Sequence, residues 1–179
     1  MAETKETPEL TDLVVRVQNG DERACGELIE ATQASLYKFC LLLSRNREIA
    51  EDLCQETFIK ALESISKLQN PATFVGWLYQ IAKNLYIDLT RSAAFRKNVS
   101  EEEMPEAASG SDLEAVVIVH KVLADFDPEE RFLLLLIELG GCSYKEAGEH
   151  AGMSEDAVRS KLHRLRQLFM QKYSSNKKS

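Results

Sequence analysis

Apolar residues recur along most of the chain at the three- and four-residue spacing of amphipathic helices, and no segment alternates as a half-buried strand would. The third predicted helix, about 47–65, is the most regular. Its inward positions are Ala50, Leu53, Thr57, Ala61, Leu62 and Ile65. Other helices are predicted at about 8–18, 22–43, 71–91, 112–124 and 128–139, with two more after residue 143. The pattern predicts an all-α protein.

Residues 100–111 interrupt this periodicity. The segment SEEEMPEAASGS mixes acids with Pro, Gly and Ser, a composition typical of a flexible linker. We therefore predict two small helical domains, residues 1–97 and 113–179, joined by a flexible acidic linker at 98–112.

The C-terminal domain carries the signature of a helix-turn-helix. Ser143 is expected to cap a short helix, Gly152 to form the turn, and Ser154 to cap a longer second helix. The inward stripe of that second helix is Val158, Leu162, Leu165 and Phe169. Its opposite face carries Arg159, Ser160, His163 and Gln167, with Arg164 at the edge. Donors along an exposed helix suit base edges and phosphates. A basic hairpin that merely packs elsewhere is the alternative, and the combination of caps, turn and periodicity favours DNA binding.

The third helix has a second face of a different character. Asp52, Gln55, Glu56 and Ile59 lie at i, i+3, i+4 and i+7, opposite the apolar stripe. An exposed Ile among acids and an amide indicates a docking surface for another protein. The alternative is a solvated helix face with one exposed apolar residue.

The fourth helix is expected to bury one stripe and present another. The buried stripe is Phe74, Leu78, Ile81, Leu85 and Leu89, and the flank carries Trp77, Asn84, Asp88 and Arg91. Aromatic and amide groups beside a basic residue suit unstacked single-stranded bases. The alternative is that Trp77 belongs mainly to the core and that Asp88 serves only to orient Arg91.

Charge is distributed unevenly along the chain. There are 22 Lys and Arg against 29 Asp and Glu, a formal net charge of −7. Yet residues 157–179 contain seven basic residues and no acid, whereas residues 99–114 contain six acids and no base. The basic C-terminus fits a DNA-binding segment, and the acidic total predicts poor binding to free DNA by the chain alone.

Three segments together resemble bacterial RNA polymerase sigma factors of the extracytoplasmic-function group. They are residues 50–58 (AEDLCQETF), residues 74–84 (FVGWLYQIAKN) with Asp88 and Arg91, and residues 127–131 with 143–147 and 157–166. The resemblance implies a factor that binds core RNA polymerase and directs promoter-specific transcription initiation. It also implies an inhibitory anti-sigma partner.

The resemblance also implies roles for the three faces. Asp52, Gln55 and Glu56, with Ile59 beside them, would bind the clamp coiled coil of the polymerase's largest subunit. Asn84, Asp88 and Arg91, with the 68–73 loop, would read the melted minus-ten strand. Arg159, Ser160, His163 and Arg164 would engage the duplex minus-thirty-five element. Two departures from the family pattern, Gly148 for Ala and Gln80 for Arg, predict weaker intrinsic DNA binding.

Two other classes of function compete with this interpretation. A stand-alone helix-turn-helix regulator would need no polymerase-binding face on the third helix, so the Asp52 to Ile59 face argues against it. A helical enzyme is disfavoured because the chain has three histidines and neither a metal-binding helix motif nor a phosphate loop. Its four cysteines lack zinc spacing and are expected to be reduced thiols. We expect no catalysis, metal or cofactor, and a cytoplasmic protein without a signal peptide or membrane insertion.

Overall fold

The computed structural model describes residues 7–91 and 111–177, and every regular element in those two ranges is helical. The N-terminal half, residues 7–91, contains α1 (Thr7–Gln18), α2 (Glu22–Ser44), α3 (Arg47–Ser64) and α4 (Phe74–Arg91). Two short 3₁₀ turns, Ile65–Lys67 and Pro71–Thr73, connect α3 to α4. Helix α2 packs against α1, α3 and α4 and is the centre of this half.

The boundaries of these helices follow from local chemistry. Gly20 has a φ of +86°, a left-handed conformation that ends α1. Asp21 then accepts hydrogen bonds from the backbone N–H groups of Arg23 and Ala24 and so caps α2. Asn46 caps α3 in the same way, through the N–H of Ile49. The predicted starts of α2 and α3 are confirmed.

The C-terminal half, residues 111–177, contains α5 (Ser111–Ala124), α6 (Pro128–Glu138), α7 (Tyr144–Ala151) and α8 (Glu155–Asn176). Ser143 and Glu146 form a reciprocal capping box at the start of α7, and Ser154 caps α8 through the N–H of Ala157. Gly152, with a φ of +66°, makes the turn between them. The predicted helix-turn-helix is confirmed, and its inward residues Val158, Leu162 and Leu165 are buried.

The two halves share one continuous core. Helix α6 packs on α2 and α4, and α7 packs on α4. At the centre, the Phe39 ring stacks on Tyr79 with 4.2 Å between centroids and meets Phe132 of the other half edge-on at 6.1 Å. The sequence predicts two separate domains, and it contains no signal for this contact between them.

Two details of the predicted elements need correction or lie outside the described residues. Leu89 was expected in the buried stripe of α4, but it is 38% exposed. All buried residues of α4 lie between Phe74 and Lys83, where neighbouring helices pack, and its last two turns carry none. Helix α5 begins at Ser111, and residues 92–110, which include most of the predicted acidic linker, lie outside the described ranges.

Candidate polymerase and nucleic-acid interfaces

Helix α3 presents its acidic face to solvent. Asp52, Gln55, Glu56 and Ile59 are all exposed, and 53% of the Ile59 surface is accessible. The opposite face, with Leu53 buried, packs against α2 and α4. The structure thus brings the four predicted docking residues together on one open surface, with an apolar side chain among polar ones.

The far end of α4 forms a polar ridge. Asn84, Asp88 and Arg91 are exposed and lie on successive turns. Within residues 7–91 and 111–177, Asp88 and Arg91 form no ion pair with each other or with another side chain. Trp77 is half-buried, and its ring centroid lies 6.0 Å from that of Phe74. The indole therefore serves the core in part, whereas Asp88 does not orient Arg91 through an ion pair.

Asn84 has one side-chain neighbour on the same helix. Gln80 Nε2 donates to Asn84 Oδ1 at 3.0 Å, an i,i+4 pair. Gln80 Oε1 is buried and has no hydrogen-bond partner within the described residues. The Asn84 Oδ1 atom thus accepts a hydrogen bond within α4, and the Asn84 side chain is exposed. The sequence marks Gln80 only as a departure from the family pattern, and it gives no sign of this positioning contact.

The loop before α4 is fixed from a distant helix. Gln18, at the end of α1, donates through Nε2 to the carbonyls of Ile65 and Leu68, both at 2.8 Å. Asn70 then caps the 3₁₀ turn that leads into α4. The contact spans about fifty residues of sequence, and periodicity cannot reveal it. It holds the first residue of the predicted 68–73 loop, which leads into the start of α4.

Helix α8 exposes every predicted DNA-contacting residue, but its arginines already have acidic partners. Arg159 lies 3.0 Å from Glu155, and Arg164 lies 3.5 Å from Glu130. Ser160 and His163 are exposed between them, and Gln167 Nε2 lies 3.1 Å from His163 Nε2. Pairs between exposed side chains are weak and exchange readily. Both arginines that are predicted to contact DNA therefore have a carboxylate partner within their own half.

The arginine and lysine farther along α8 are paired as well. Arg166 forms a 2.7 Å ion pair with Glu138 and donates to the Tyr144 hydroxyl at 3.1 Å. Lys172 lies 2.7 Å from Asp125. These contacts connect α8 to α6, to α7 and to Asp125, the residue that follows α5, so part of the basic C-terminus has a structural role.

A residue without a side chain is needed at position 148 for a steric reason that the sequence did not reveal. A Cβ at this position would lie 2.5 Å from the carbonyl oxygen of Met153, in the turn between α7 and α8. From the sequence, Gly148 was expected only to destabilise the helix, because glycine has a low helix propensity. The structure shows that it lets the backbone of the turn come close to α7, and an alanine would force that backbone to shift.

Burial controls the pKa of several thiols and imidazoles. It raises the pKa of Cys142 to about 12, and it raises the pKa values of Cys40 and Cys54 as well. It lowers the pKa values of His120 and His150. These thiols are therefore protonated and these imidazoles neutral near pH 7. In the ranges that the structure describes, no three His, Cys, Asp or Glu residues are arranged to hold a metal ion.

Comparisons with known proteins now decide the family. The Sigma-70 region 2 model matches residues 28–96, and the Sigma-70 region 4 model matches residues 117–168. The ECF RNA polymerase sigma factor SigE of Mycolicibacterium smegmatis is 33% identical, over 93% of this chain and 70% of its own length. The chain belongs to the extracytoplasmic-function group of RNA polymerase sigma factors. It directs RNA polymerase to promoters, and the stand-alone regulator is not favoured.

Solved structures of sigma factors share the fold. CnrH in complex with the cytosolic domain of CnrY has a TM-score of 0.69 at 21% identity, and the match covers 93% of this chain and 97% of that one. RpoE in complex with the anti-sigma factor NepR from Bartonella quintana has a TM-score of 0.70 at 23% identity, covering 83% and 96%. The region 2 match of this sigma factor includes the α3 face and the α4 ridge, and its region 4 match includes the exposed arginines of α8.

Two broader properties come with the family. Sigma factors are not enzymes, and they work in the cytoplasm as a family. Within the described ranges, no helix of this sigma factor has the length and apolar character needed to cross a membrane.

Proposed function

We propose that the exposed face of α3 is the surface through which this sigma factor binds core RNA polymerase. The observation that carries the proposal is the clustering of Asp52, Gln55, Glu56 and Ile59 on one open helix face inside the region 2 match. Three polar groups around one apolar side chain resemble the anatomy of a protein interface, in which a buried anchor is surrounded by hydrogen-bonding groups.

The polar ridge of α4 would then read the melted minus-ten strand. Asn84 is exposed and accepts a hydrogen bond from Gln80 through Oδ1, which leaves its NH₂ group to donate to a base, and Asp88 and Arg91 lie one and two turns farther on. A single strand exposes its base edges, so an amide held in one orientation can select a base by hydrogen bonding. The 68–73 loop, held by Gln18, lies at the start of the same helix.

Helix α8 would bind the duplex minus-thirty-five element through Arg159, Ser160, His163 and Arg164. These side chains lie on the exposed side of the second helix of the helix-turn-helix, the element that enters the major groove in this class of motif. The ion pairs of Arg159 and Arg164 must be exchanged for contacts with DNA. Because these ion pairs must be broken, the net free energy of DNA binding is smaller. This agrees with the prediction that the chain alone binds free DNA weakly.

The same proposal extends to domains, partners and place of action. The domain boundaries at 1–97, 98–112 and 113–179 remain predictions. An inhibitory anti-sigma protein is expected, because the two structural relatives were solved in complexes with CnrY and with the anti-sigma factor NepR. We infer that this chain works in the cytoplasm with core polymerase and promoter DNA and has no catalytic activity of its own.

The docking assignment is tested by the double variant Asp52→Ala with Gln55→Ala. We expect affinity for core polymerase to fall at least about tenfold, or about 1.4 kcal/mol, because truncation of important interface residues costs more than about 1 kcal/mol each. The matched control is Glu30→Ala with Gln33→Ala, an exposed acid and amide at the same spacing on α2. Affinity is measured by titrating labelled sigma factor with core enzyme. Equal affinities of the two double variants would contradict the assignment.

A further inference from the structure

One side chain connects the loop before α4 to a helix that is distant in sequence. Gln18 Nε2, at the end of α1, donates to the carbonyl oxygens of Ile65 and Leu68, and both distances are 2.8 Å. An amide NH₂ group has two donors, so both are engaged. The Gln18 side chain is half-buried, which limits the access of water to these bonds. The end of α3 and the start of the loop are therefore fixed to one point on α1.

The two carbonyls need this donor because they lie just beyond a helix end. The last carbonyl groups of an α-helix find no N–H partner within the helix. Here α3 ends at Ser64, the 3₁₀ turn Ile65–Lys67 follows, and the Leu68 N–H donates to the Ile65 carbonyl at 3.1 Å. Gln18 adds a second donor at Ile65 and a donor at Leu68. It thus completes, from another helix, the hydrogen bonding of the turn that follows α3.

Gln18 lies at a corner that several contacts define. Arg16 forms ion pairs with Asp21 at 2.8 Å and with Glu27 at 3.1 Å, and these pairs join the end of α1 to the start of α2. Between the two helices, Gly20 turns the chain with a φ of +86°. Helix α1 also packs against both 3₁₀ turns of the α3–α4 connection. The corner is therefore a defined support from which one amide can hold a loop.

The second half of the loop keeps its shape through its own hydrogen bonds. Asn70 Oδ1 accepts from the Ala72 N–H at 3.2 Å, and the Asn70 carbonyl accepts from the N–H and the hydroxyl of Thr73 at 3.0 and 2.8 Å. These bonds close the 3₁₀ turn Pro71–Thr73, which continues directly into α4. Gln69 and Asn70 are exposed. Gln69 therefore joins the turn that α1 holds to a turn that is held by its own bonds.

We propose that Gln18 is a positioning residue for minus-ten recognition. Both of its donors are engaged within the chain, so it acts through the loop backbone and places the exposed Gln69 and Asn70 against the melted strand in one arrangement. The proposal rests on the function proposed above, in which the 68–73 loop reads that strand. Hydrogen bonds discriminate between bases only when their donors and acceptors are held in place, and a site on a loop needs such support. A loop released from α1 would bind different bases almost equally well.

This role differs measurably from a contribution to stability alone. A chain that is only less stable gives less transcript from every promoter in the same proportion. A displaced loop changes the ratio between promoters that differ at a single minus-ten base, and it leaves the exposed face of α3 and the arginines of α8 unaffected. The ratio between bases, the affinity for core polymerase and the salt dependence of promoter binding therefore separate the two roles.

Three variants of Gln18 separate the donors of the side chain from its shape. Gln18→Met keeps the length of the side chain and removes both donors. Gln18→Glu keeps the shape and places a carboxylate, which can only accept hydrogen bonds, against two carbonyls. Gln18→Lys retains donors on an ammonium group. Gln33→Met is the matched control, because it makes the same replacement at an exposed glutamine of α2.

Amide hydrogen exchange in the free full-length chain tests the anchoring of the loop without DNA. We expect residues 66–73 to exchange at least about fivefold faster in Gln18→Met and Gln18→Glu, because two hydrogen bonds are lost. The rates in Gln18→Lys and Gln33→Met should stay close to those of the wild-type chain. Unchanged exchange of the loop in both variants without donors would overturn the anchoring. Loss of structure throughout both of these variants would overturn a role confined to the loop.

Transcription by core polymerase with each chain tests the reading of bases. The promoters carry each of the four bases at each minus-ten position in turn. We expect Gln18→Met and Gln18→Glu to lose discrimination between bases by at least about threefold at one position or at adjacent positions, the effect of a hydrogen bond that is no longer well placed. Gln18→Lys and Gln33→Met should discriminate as the wild-type chain does. Affinity for core polymerase and the salt dependence of promoter binding should be the same for all five chains.

The outcomes distinguish this proposal from the function on which it rests. An equal loss of transcription on every promoter, or unchanged discrimination in chains whose loop exchanges faster, would overturn the positioning role. Lost discrimination in a folded Gln18→Lys chain would overturn the assignment of that role to the donors. If the wild-type chain gives no promoter-specific transcripts with core polymerase, the proposed function fails and the positioning role fails with it. Hydrogen exchange then still decides whether Gln18 holds the loop.

Discussion

Helices α4 and α8 present their polar side chains to solvent in different ways. On α4, Asn84 is oriented by Gln80, and Asp88 and Arg91 have no ion-pair partner within the described ranges. On α8, Arg159 and Arg164 already pair with carboxylates of their own half. An amide held in one orientation is suited to selecting a base by hydrogen bonding. An arginine that is paired with a carboxylate contributes little to DNA affinity until a phosphate replaces that carboxylate. We therefore expect α4 to contribute mainly sequence selection and α8 mainly salt-dependent attachment to DNA.

The largest effect is expected from Asn84→Ala. Loss of a base-specific amide contact costs about 1–3 kcal/mol, or roughly ten- to a hundredfold in promoter-specific transcription. The loss should depend on the base at the contacted minus-ten position and should leave the salt dependence unchanged. It is measured with promoters carrying each of the four bases there. An equal loss of transcription on all four promoters would contradict the prediction that α4 selects the base at this position.

Arg159→Ala should have a smaller effect of a different kind. We expect binding of the polymerase–sigma complex to a minus-thirty-five promoter to weaken several-fold, with a salt slope lower by about 1. Promoter affinity is measured between 50 and 200 mM salt. Over this interval, the affinity of a protein that contacts several phosphates falls by about tenfold or more. Lys145→Ala, an exposed cation on α7, is the control. No loss of affinity would contradict the assignment of α8 to this element.

Variants of Gln80 sharpen the comparison further. Gln80→Met keeps the length of the side chain and removes its donor, so Asn84 loses its fixed orientation. We expect promoter-specific transcription to fall a few-fold, which corresponds to the roughly 0.5–1.5 kcal/mol of one hydrogen bond. Gln80→Glu accepts from the Asn84 NH₂ group and turns Oδ1 outwards. The preferred minus-ten base should then change. Unchanged base preference with both variants would show that Gln80 does not position Asn84.

The smallest expected effect is on the pH dependence of stability. Burial, followed by the nearby Arg45 and Arg131, lowers the folded pKa of His120 below its ordinary value near 6.5. The unfolded chain therefore binds more protons, so stability is full above about pH 6.5 and falls as the pH drops through that value. We expect Tm to fall between pH 7.5 and 5.5, less steeply after His120→Leu. An unchanged dependence of Tm on pH in His120→Leu would contradict this role of His120.

Features set by neighbouring residues could be predicted from the sequence. Asp21, Ser143 and Ser154 each cap the helix expected of them, because a cap depends on a side chain and an N–H group two or three residues away. The three candidate surfaces likewise follow from helical periodicity, since exposure on one face is the counterpart of burial on the other. All four docking residues on α3 are exposed as predicted.

Features that depend on distant residues could not be predicted. Arg131 bonds a carbonyl 88 residues away, and Gln18 holds a loop about fifty residues away. Gly148 was interpreted from propensity alone, although the neighbouring carbonyl of Met153 decides it. Leu89 follows the periodicity of α4, yet the last two turns of α4 contain no buried residue, and Leu89 itself is 38% exposed. Periodicity shows which side of a helix is apolar, but it does not show where the partner helices stop.

The most direct test of the central claim is the mapping of transcript starts made by core RNA polymerase on the source organism's genomic DNA, with and without this chain. The account predicts a defined set of starts that share upstream elements near minus ten and minus thirty-five and appear only when core enzyme and chain are both present. The same starts with core enzyme alone, or no specific starts with the two together, would contradict it.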